Sequence, residues 1–249
     1  MIEREIEIAT AEGLMNAHVV HPEEGGPFPS ILLYMDAPGI RQELLDIASR
    51  IATVGYFVLL PNLYYRTDRT VDFSMARMAD PATRDAMLGK VRGLSMAMML
   101  RDTRTVLDHL DREPLAGKGP LGAVGYCMSG RWVFGAAAAY PDRFKAVASV
   151  YGTGLHTDAP DSPHRTAGSI KGEVYFACAE NDSYVPLAQI DALRRYLAGT
   201  ALNHRIEIYP GTQHGFVFAD RGHYHRAGAE RHWERVFALL ERNLKSGAG

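Results

Sequence analysis

Hydrophobic and polar positions follow two periods that alternate along the chain. Continuous apolar runs at 31–35 and 56–60 are typical of parallel strands that are covered on both faces. Between them, 42–53 places its apolar residues at helical spacing. The alternation continues, with strands beginning near residues 121, 146, 173 and 205 and helices near residues 95, 131 and 229. The pattern predicts an α/β fold with a mostly parallel central sheet and helices on both faces.

Two segments do not follow this alternation of strands and helices. Near the N-terminus, the alternating stretches 3–8 and 14–20 flank a Thr-Ala-Glu-Gly turn, which predicts an antiparallel hairpin. The stretch 64–93 mixes arginines with methionines and follows a predicted strand. It is either a small helical cap over a pocket or a pair of amphipathic surface helices with solvated arginines. We therefore predict a single domain, 1–249, from which 64–93 is the one excursion.

Composition narrows the class of protein. The chain has 249 residues, of which 47% are hydrophobic and 22% charged, enough for one α/β domain with a large core. A net charge of -2 provides no strong field for nucleic acid or an anionic membrane. The charged N-terminus lacks the apolar segment of a signal peptide, and no apolar run approaches the roughly 18 residues of a membrane span. We expect a cytoplasmic protein without nucleic-acid or membrane partners.

The most informative stretch is Gly125-Tyr126-Cys127-Met128-Ser129-Gly130, between a predicted strand and an alanine-rich helical run. This is the layout of a nucleophile elbow, commonly G-x-S-x-G, with cysteine at the nucleophile position. The tight turn requires small flanking residues, and Gly125, Ser129 and Gly130 meet that need. The N–H group of Met128 and the N-terminus of the helix favour a thiolate or an oxyanion there. The alternative is a buried structural cysteine in a small-residue turn.

Two downstream residues complete the arrangement. Hydrolases of this type carry their triad in the order nucleophile, acid, histidine, each after a later strand. Asp182 follows the apolar strand predicted at 172–179, and His214 follows the strand predicted at 204–209. Taken alone, Asp182 fits a turn or helix cap and His214 fits a loop. Because open α/β sheets bind ligands at the C-terminal ends of their strands, Cys127, Asp182 and His214 together predict a catalytic triad.

Over nearly its whole length the chain resembles the dienelactone hydrolase family, cysteine hydrolases of the α/β-hydrolase fold. The matching pieces are Gly125-Tyr126-Cys127, the Gly55-Tyr56 turn leading to Pro61-Asn62-Leu63-Tyr64, the Asp182 loop and His214-Gly215-Phe216. The resemblance implies that the Ala37 N–H is the second oxyanion donor, beside that of Met128. It also implies a thiol-contacting acid at Asp36, where lactone hydrolases of the family have glutamate. Aspartate is one methylene shorter, so it reaches the sulfur less directly or through a water.

Substrate contacts are less defined. The family's lactone hydrolases hold a substrate carboxylate with arginines, whose guanidinium forks suit that role. Four residues after the histidine, where the family pattern has such an arginine, this chain has Phe218. Arg84, in the 64–93 excursion, is the counterpart that we expect, and a solvated surface position is the alternative. Phe216 and Phe218 are expected to contact substrate. The nearby His223 and His225 could bind metal, but the triad chemistry requires none, so we predict neither metal nor cofactor.

The resulting prediction is a cofactor-free hydrolase of a small ester or lactone. It would act as a carboxylic ester hydrolase of the carboxymethylenebutenolidase type, through a Cys-His-Asp triad and a thioester intermediate, as a monomer or homodimer. The alternatives are a general carboxylesterase or thioesterase of the same fold and a non-catalytic ligand-binding protein. Cys178, inside an apolar strand, is expected to be an inert core thiol.

Overall fold

The computed structural model describes residues 1–74 and 76–245. Residue 75 of the predicted excursion and the last four residues of the predicted domain lie outside the described residues. The chain divides into two compact units, the first covering Met1–Pro120 and the second beginning at Leu121. The single domain over 1–249 therefore stays a prediction, and each unit is described by itself.

The first unit contains four strands, β1 (Ile2–Thr10), β2 (Gly13–His21), β3 (Ser30–Tyr34) and β4 (Phe57–Pro61). They lie in the order β1-β2-β4-β3. β1 and β2 form the predicted antiparallel hairpin, in which Ile8 lies opposite Met15. β2 is also antiparallel to β4, whereas β3 and β4 are parallel. β3 and β4 are buried along their whole length, as their continuous apolar sequences predict.

Among the residues of this unit that the structure describes, three α-helices accompany the strands: α1 (Gln42–Ala52), α2 (Pro81–Arg92) and α3 (Met96–Leu110). α1 buries one stripe, which includes Leu44, Ala48 and Ile51, because these residues recur every three to four positions. α2 begins with a capping aspartate, Asp80, whose side chain accepts hydrogen bonds from two backbone N–H groups of the first turn. No residue of α2 is buried. Within 64–93, α2 is the only α-helix of the described residues.

The second unit contains four parallel strands in the order β5-β6-β7-β8. The strands are β5 (Leu121–Tyr126), β6 (Phe144–Val150), β7 (Glu173–Asn181) and β8 (His204–Gln213), and the helices are α4 (Gly130–Ala139), α5 (Leu187–Leu197) and α6 (Arg226–Leu244). Along each strand, neighbouring side chains point to opposite faces. Phe134 of α4 packs on Phe176, and His232 of α6 packs on Tyr126. The strand register places Phe176 and Tyr126 on opposite faces, so helices cover both faces, as predicted.

Two details differ from the sequence prediction. β7 and β8 extend beyond their apolar stretches, so that Asn181 still pairs with Gln213. Backbone pairing there does not depend on side-chain polarity, which is why the pattern missed it. The apolar spacing within 229–244 predicts that Phe237 faces inward, but in α6 Phe237 is only partly buried and Leu239 is fully buried instead. Among the described residues, no helix is long and apolar enough to cross a membrane.

Candidate active site

The elbow places Cys127 in a strained backbone conformation directly after β5. Its φ is 53°, in the left-handed region that side chains other than glycine seldom adopt. This conformation costs about 1–2 kcal/mol and persists only where the surrounding structure holds it. The Cys127 carbonyl accepts a hydrogen bond from the Thr153 N–H at 3.0 Å and another from the Gly130 N–H. The turn therefore presents a partly exposed thiol at the beginning of α4.

Small residues make this turn possible. A Cβ on Gly125 would lie 2.4 Å from the Ser129 carbonyl oxygen, and one on Gly130 would lie 2.3 Å from the Gly152 Cα. Both contacts involve backbone, which cannot move away as a flexible side chain would. The tight turn therefore requires small residues at Gly125 and Gly130 for a steric reason, as the sequence analysis inferred. Ser129 is fully buried and fits the turn.

Gly125→Ala is expected to lower the free energy of unfolding by about 3 kcal/mol, since overpacking against backbone strains the elbow. Gly168→Ala is the matched control, because no atom lies within 4 Å of a Cβ at that position. We expect the control to stay within about 0.5 kcal/mol of wild type. Urea denaturation of both variants measures the difference, and equal stabilities would contradict the steric argument.

Asp182 lies immediately after β7 and is buried, with 1% of its side chain exposed. One carboxylate oxygen, Oδ1, accepts hydrogen bonds from the Tyr184 N–H at 2.8 Å and the Val185 N–H at 3.1 Å. The other, Oδ2, lies 2.7 Å from Nδ1 of His214. Asp182 therefore forms the hydrogen bonds of a turn residue and contacts the histidine at the same time, and its role as triad acid stays a prediction. The backbone hydrogen bonds fix the carboxylate in the orientation that meets the imidazole.

His214 follows β8 and has its imidazole enclosed. Its ring lies 4.9 Å from the Tyr151 ring and 4.8 Å from the Tyr184 ring, measured between centroids. Burial lowers the pKa of His214, but the Asp182 carboxylate and the Cys127 sulfur outweigh burial and raise the pKa to about 9. The second ring nitrogen, Nε2, is buried without a conventional hydrogen-bond partner in the described structure. The imidazole thus contacts the Asp182 carboxylate through Nδ1, and the Cys127 sulfur also raises its pKa.

The two cysteines differ in their environments. Both are free thiols. Burial raises the pKa of Cys178 to about 12, so this thiol stays protonated and unreactive at neutral pH. Cys127 is partly exposed and acts electrostatically on two cationic side chains of the second unit, His214 and Arg131. Reactivity is therefore expected at Cys127 and not at Cys178.

Sequence reasoning missed Arg131. This residue lies four positions after Cys127, in the first turn of α4, and it is partly buried. Its guanidinium carbon lies 4.0 Å from the centre of the Trp132 ring.

Asp36 and Ala37 lie in the first unit, two and three residues after β3 ends at Tyr34. Asp36 is fully buried and paired with Arg41, whose Nη1 lies 2.6 Å from Oδ1 and whose Nη2 lies 3.3 Å from Oδ2. The Ala37 carbonyl accepts a hydrogen bond from the Tyr64 hydroxyl at 2.8 Å. No pattern along the chain indicates Arg41 as the partner of Asp36. The roles of Asp36 as thiol-contacting acid and of Ala37 as oxyanion donor stay predictions.

The expected substrate-contact residues lie in different surroundings. Arg84 is exposed on α2. Phe216 and Phe218 are fully buried and pack edge-on against Tyr151, with centroid distances of 5.6 and 6.1 Å. These two phenylalanines therefore support the tyrosine that contacts the His214 ring. Direct substrate contact by Arg84, Phe216 or Phe218 stays a prediction.

At least one of the histidines that follow Phe218 has a structural function. His225 caps α6, its Nδ1 accepting a hydrogen bond from the Gly228 N–H at 3.0 Å. Within residues 1–74 and 76–245, no group of three or more His, Cys, Asp or Glu side chains is arranged to hold a metal ion.

A parallel sheet covered by helices, with a strained residue between strand and helix and an acid and a histidine after later strands, defines the α/β-hydrolase class. The chain belongs to the dienelactone hydrolase family, whose family model matches residues 15–244. The family predicted from the sequence motifs is thereby confirmed, and the chain is a hydrolase of this family.

Individual relatives agree with this assignment. The chain is 26% identical over 232 residues to a Synechocystis protein provisionally named carboxymethylenebutenolidase, covering 92% of each. It is similar to the crystal structure of a provisionally named dienelactone hydrolase from Klebsiella pneumoniae, with a TM-score of 0.84, 24% identity, and coverage of 97% of this chain and 98% of that chain. A dienelactone hydrolase-like promiscuous phosphotriesterase from metagenomic libraries gives a TM-score of 0.79 at 18% identity, covering 97% of this chain and 98% of that chain. These structures confirm the α/β-hydrolase fold.

Proposed function

We propose that this protein hydrolyses a small ester or lactone through a thioester formed on Cys127. The observation that carries the proposal is the position of His214, which is 2.7 Å from the Asp182 carboxylate and has its pKa raised to about 9 by that carboxylate and the Cys127 sulfur, against the effect of burial. With that pKa, His214 is an imidazolium at neutral pH. An imidazolium beside a thiol favours the thiolate, which is the nucleophilic form of cysteine.

Acylation begins when the Cys127 thiolate attacks the carbonyl carbon of the substrate. A carbon–sulfur bond forms, and the carbonyl electron pair moves to oxygen. When the tetrahedral species collapses, the bond to the leaving oxygen breaks and that oxygen takes a proton from Nε2 of His214. Asp182 holds the imidazole through Nδ1, so that Nε2 is the nitrogen that exchanges protons with the reacting atoms.

Deacylation uses the same histidine as a base. Acylation removes the negative charge from the Cys127 sulfur, which is one of the causes that raise the pKa of His214. The pKa therefore falls, and the neutral imidazole can take a proton from water. The hydroxide adds to the thioester carbonyl, the carbon–sulfur bond breaks, and the acid leaves while the thiolate and imidazolium are restored.

The elbow also supplies a stabilising electrostatic environment for the tetrahedral oxyanion. The Met128 N–H follows the nucleophile and lies at the beginning of α4, whose dipole favours negative charge at that end. A preorganised donor of this kind contributes about 3–4 kcal/mol to transition-state stabilisation. Ala37 is proposed as the second donor from the resemblance to the family.

Activated esters and lactones fit this chemistry best. The tetrahedral species can expel either the thiolate or the oxygen of the leaving group. Because a thiolate leaves more readily than an ordinary alkoxide, acylation succeeds when the leaving oxygen is that of an enol or phenol. The name of the Synechocystis relative, carboxymethylenebutenolidase, points to an unsaturated lactone with such an enol oxygen. We place enol lactones ahead of simple alkyl esters and thioesters.

The test is hydrolysis of a dienelactone, a nitrophenyl ester and an acyl thioester, combined with intact-mass analysis of acid-quenched reactions. We expect the highest kcat/KM on the dienelactone and an added acyl mass that maps to the peptide carrying Cys127. Cys178→Ala is the matched control and should keep both turnover and adduct. Turnover without any adduct under single-turnover conditions, or adduct on Cys178, would refute the covalent route. Absence of turnover on the whole panel would favour the ligand-binding alternative.

A further inference from the structure

We propose that Glu180 is a positioning residue, whose carboxylate fixes the end of β8 and thereby sets where the His214 imidazole meets Asp182. The inference rests on the proposed function, because it concerns the histidine of that reaction, but its first measurement requires no turnover. Three observations support it: an irregularity in the pairing of β7 with β8, a hydrogen bond that crosses this irregularity, and the position of Glu180 two residues before Asp182.

The pairing of β7 with β8 changes register just before the acid and the histidine. Ala179 lies opposite Tyr209, whereas Asn181 lies opposite Gln213. One residue of β7 therefore faces three residues of β8, and β8 bulges at this point. Bulges are uncommon between parallel strands, and beside an active site they redirect a side chain. Here the redirected chain leads directly to His214.

The Glu180 carboxylate crosses this bulge. Its Oε2 accepts a hydrogen bond from the N–H of Gly211, the middle residue of the bulge, at 2.8 Å. Gly211 has a φ of +72°, a conformation that glycine adopts without strain. On the β8 side, the Thr212 hydroxyl donates to the Tyr209 carbonyl at 2.7 Å. The bulge is therefore held from within by Thr212 and from β7 by a charge-assisted hydrogen bond, which is stronger than one between neutral groups.

The position of Glu180 in the sequence connects the bulge to the acid. Glu180 and Asp182 are two residues apart, the spacing at which side chains of an extended chain share a face. The first carboxylate binds the backbone at Gly211, and the second contacts the imidazole of His214, three residues further along, at 2.7 Å. Asp182 is already fixed by two backbone N–H groups of its own turn. Where the two side chains meet therefore depends on the β8 side, which Glu180 fixes.

The Glu180–Gly211 hydrogen bond is exposed at both ends, so its loss is expected to affect position more than stability. In Glu180→Ala, water can bind the freed N–H, and no buried donor is left without a partner. We therefore expect this variant to fold with a Tm close to that of wild type. An exchanging water does not tie β8 to β7, however, so the end of β8 and the imidazole it carries would sample several positions.

The first measurement is the proton NMR signal of the hydrogen bond between Nδ1 of His214 and the Asp182 carboxylate. Such a proton resonates far downfield, and its loss in His214→Gln assigns it. We expect the signal to be sharp in wild type and broadened or lost in Glu180→Ala. Glu180→Gln should retain it, because the amide oxygen still accepts a hydrogen bond from the Gly211 N–H.

The second measurement is turnover of the preferred ester or lactone. In Glu180→Ala we expect kcat to fall about tenfold while KM changes little, because a misplaced imidazole impairs proton transfer more than substrate binding. Glu180→Gln should keep most of the wild-type kcat. Rescue by glutamine distinguishes the hydrogen bond from the charge, since both variants remove the charge and only glutamine keeps an acceptor oxygen.

The matched control is Glu234→Ala, which removes an exposed glutamate from α6 and changes the net charge equally. It should leave both the signal and kcat unchanged. An unchanged signal in Glu180→Ala, or an unchanged kcat in a protein that hydrolyses the panel, would overturn the inference. Equal losses in Glu180→Ala and Glu180→Gln would also overturn it, since that pattern indicates charge. Should Glu180→Ala not fold, Glu180→Met is the second variant without an acceptor oxygen. A signal that depends on Glu180 in a protein that hydrolyses no ester would sink the proposed function and leave the positioning of His214 standing.

Discussion

Replacing Cys127 with alanine is expected to lower kcat on the preferred ester or lactone by about 10⁴-fold or more, because no other group can form the thioester. Alanine meets the same left-handed backbone constraint as cysteine, so the cost of φ 53° is unchanged. We therefore expect stability close to that of wild type and substrate binding that survives. The measurements are kcat and KM by spectrophotometric assay, and the substrate Kd of the inactive variant by calorimetry.

Cys178→Ala is the internal control for this prediction. Its thiol is buried in β7, and burial raises its pKa to about 12, so it takes no part in the reaction. Removing it should leave kcat within a factor of about two of wild type, although the small cavity costs some stability. Cys127→Ala retaining more than a few per cent of activity on every substrate would exclude covalent catalysis by this residue.

The second large effect is expected for Asp182→Asn, which should lower kcat by about 10²–10⁴-fold. Asparagine keeps an oxygen for the Tyr184 and Val185 N–H groups, so the turn before α5 is preserved. The amide, however, removes the negative charge that faces Nδ1 of His214 at 2.7 Å. The histidine then loses both its orientation and the main cause that raises its pKa.

The pH profile distinguishes this role from a purely structural one. In wild type the imidazolium is present below pH about 9 and is lost as pH rises through that value, so kcat/KM should decline on this alkaline limb. In Asp182→Asn, burial still lowers the pKa of His214 while the carboxylate no longer raises it. The alkaline limb should therefore move to lower pH. Asp191→Asn, an exposed aspartate of α5, is the matched control and should not move it. A limb that stays in place in Asp182→Asn would contradict the assignment.

Much of the candidate site was predictable because its chemistry is local. The order of Cys127, Asp182 and His214 follows from three strand ends, and each strand is marked by an apolar run. The elbow was recognisable from its small residues, since a Cβ at Gly125 or Gly130 would meet backbone. These features depend on a few neighbouring residues, and the catalytic roles of Cys127, Asp182 and His214 stay predictions.

The sequence pattern was less informative about contacts between residues that lie far apart along the chain. Nothing in the sequence indicates that Tyr151 and Tyr184 enclose the His214 ring, because those contacts depend on how three loops pack. Phe216 and Phe218 are fully buried against Tyr151, which the sequence did not indicate, and their contact with substrate stays a prediction. An aromatic residue close to a catalytic histidine can line a pocket or support it, and its sequence neighbourhood is the same in both cases.

The sequence by itself determined the α/β class and the family, and it predicted Cys127, Asp182 and His214 as nucleophile, acid and histidine. It could do so because periodicity and steric demands at a tight turn act over a few residues. Only the tertiary structure decided the orientation of the His214 imidazole and the partner of Asp36. Orientation and electrostatic coupling depend on distances across the fold, which no local pattern encodes.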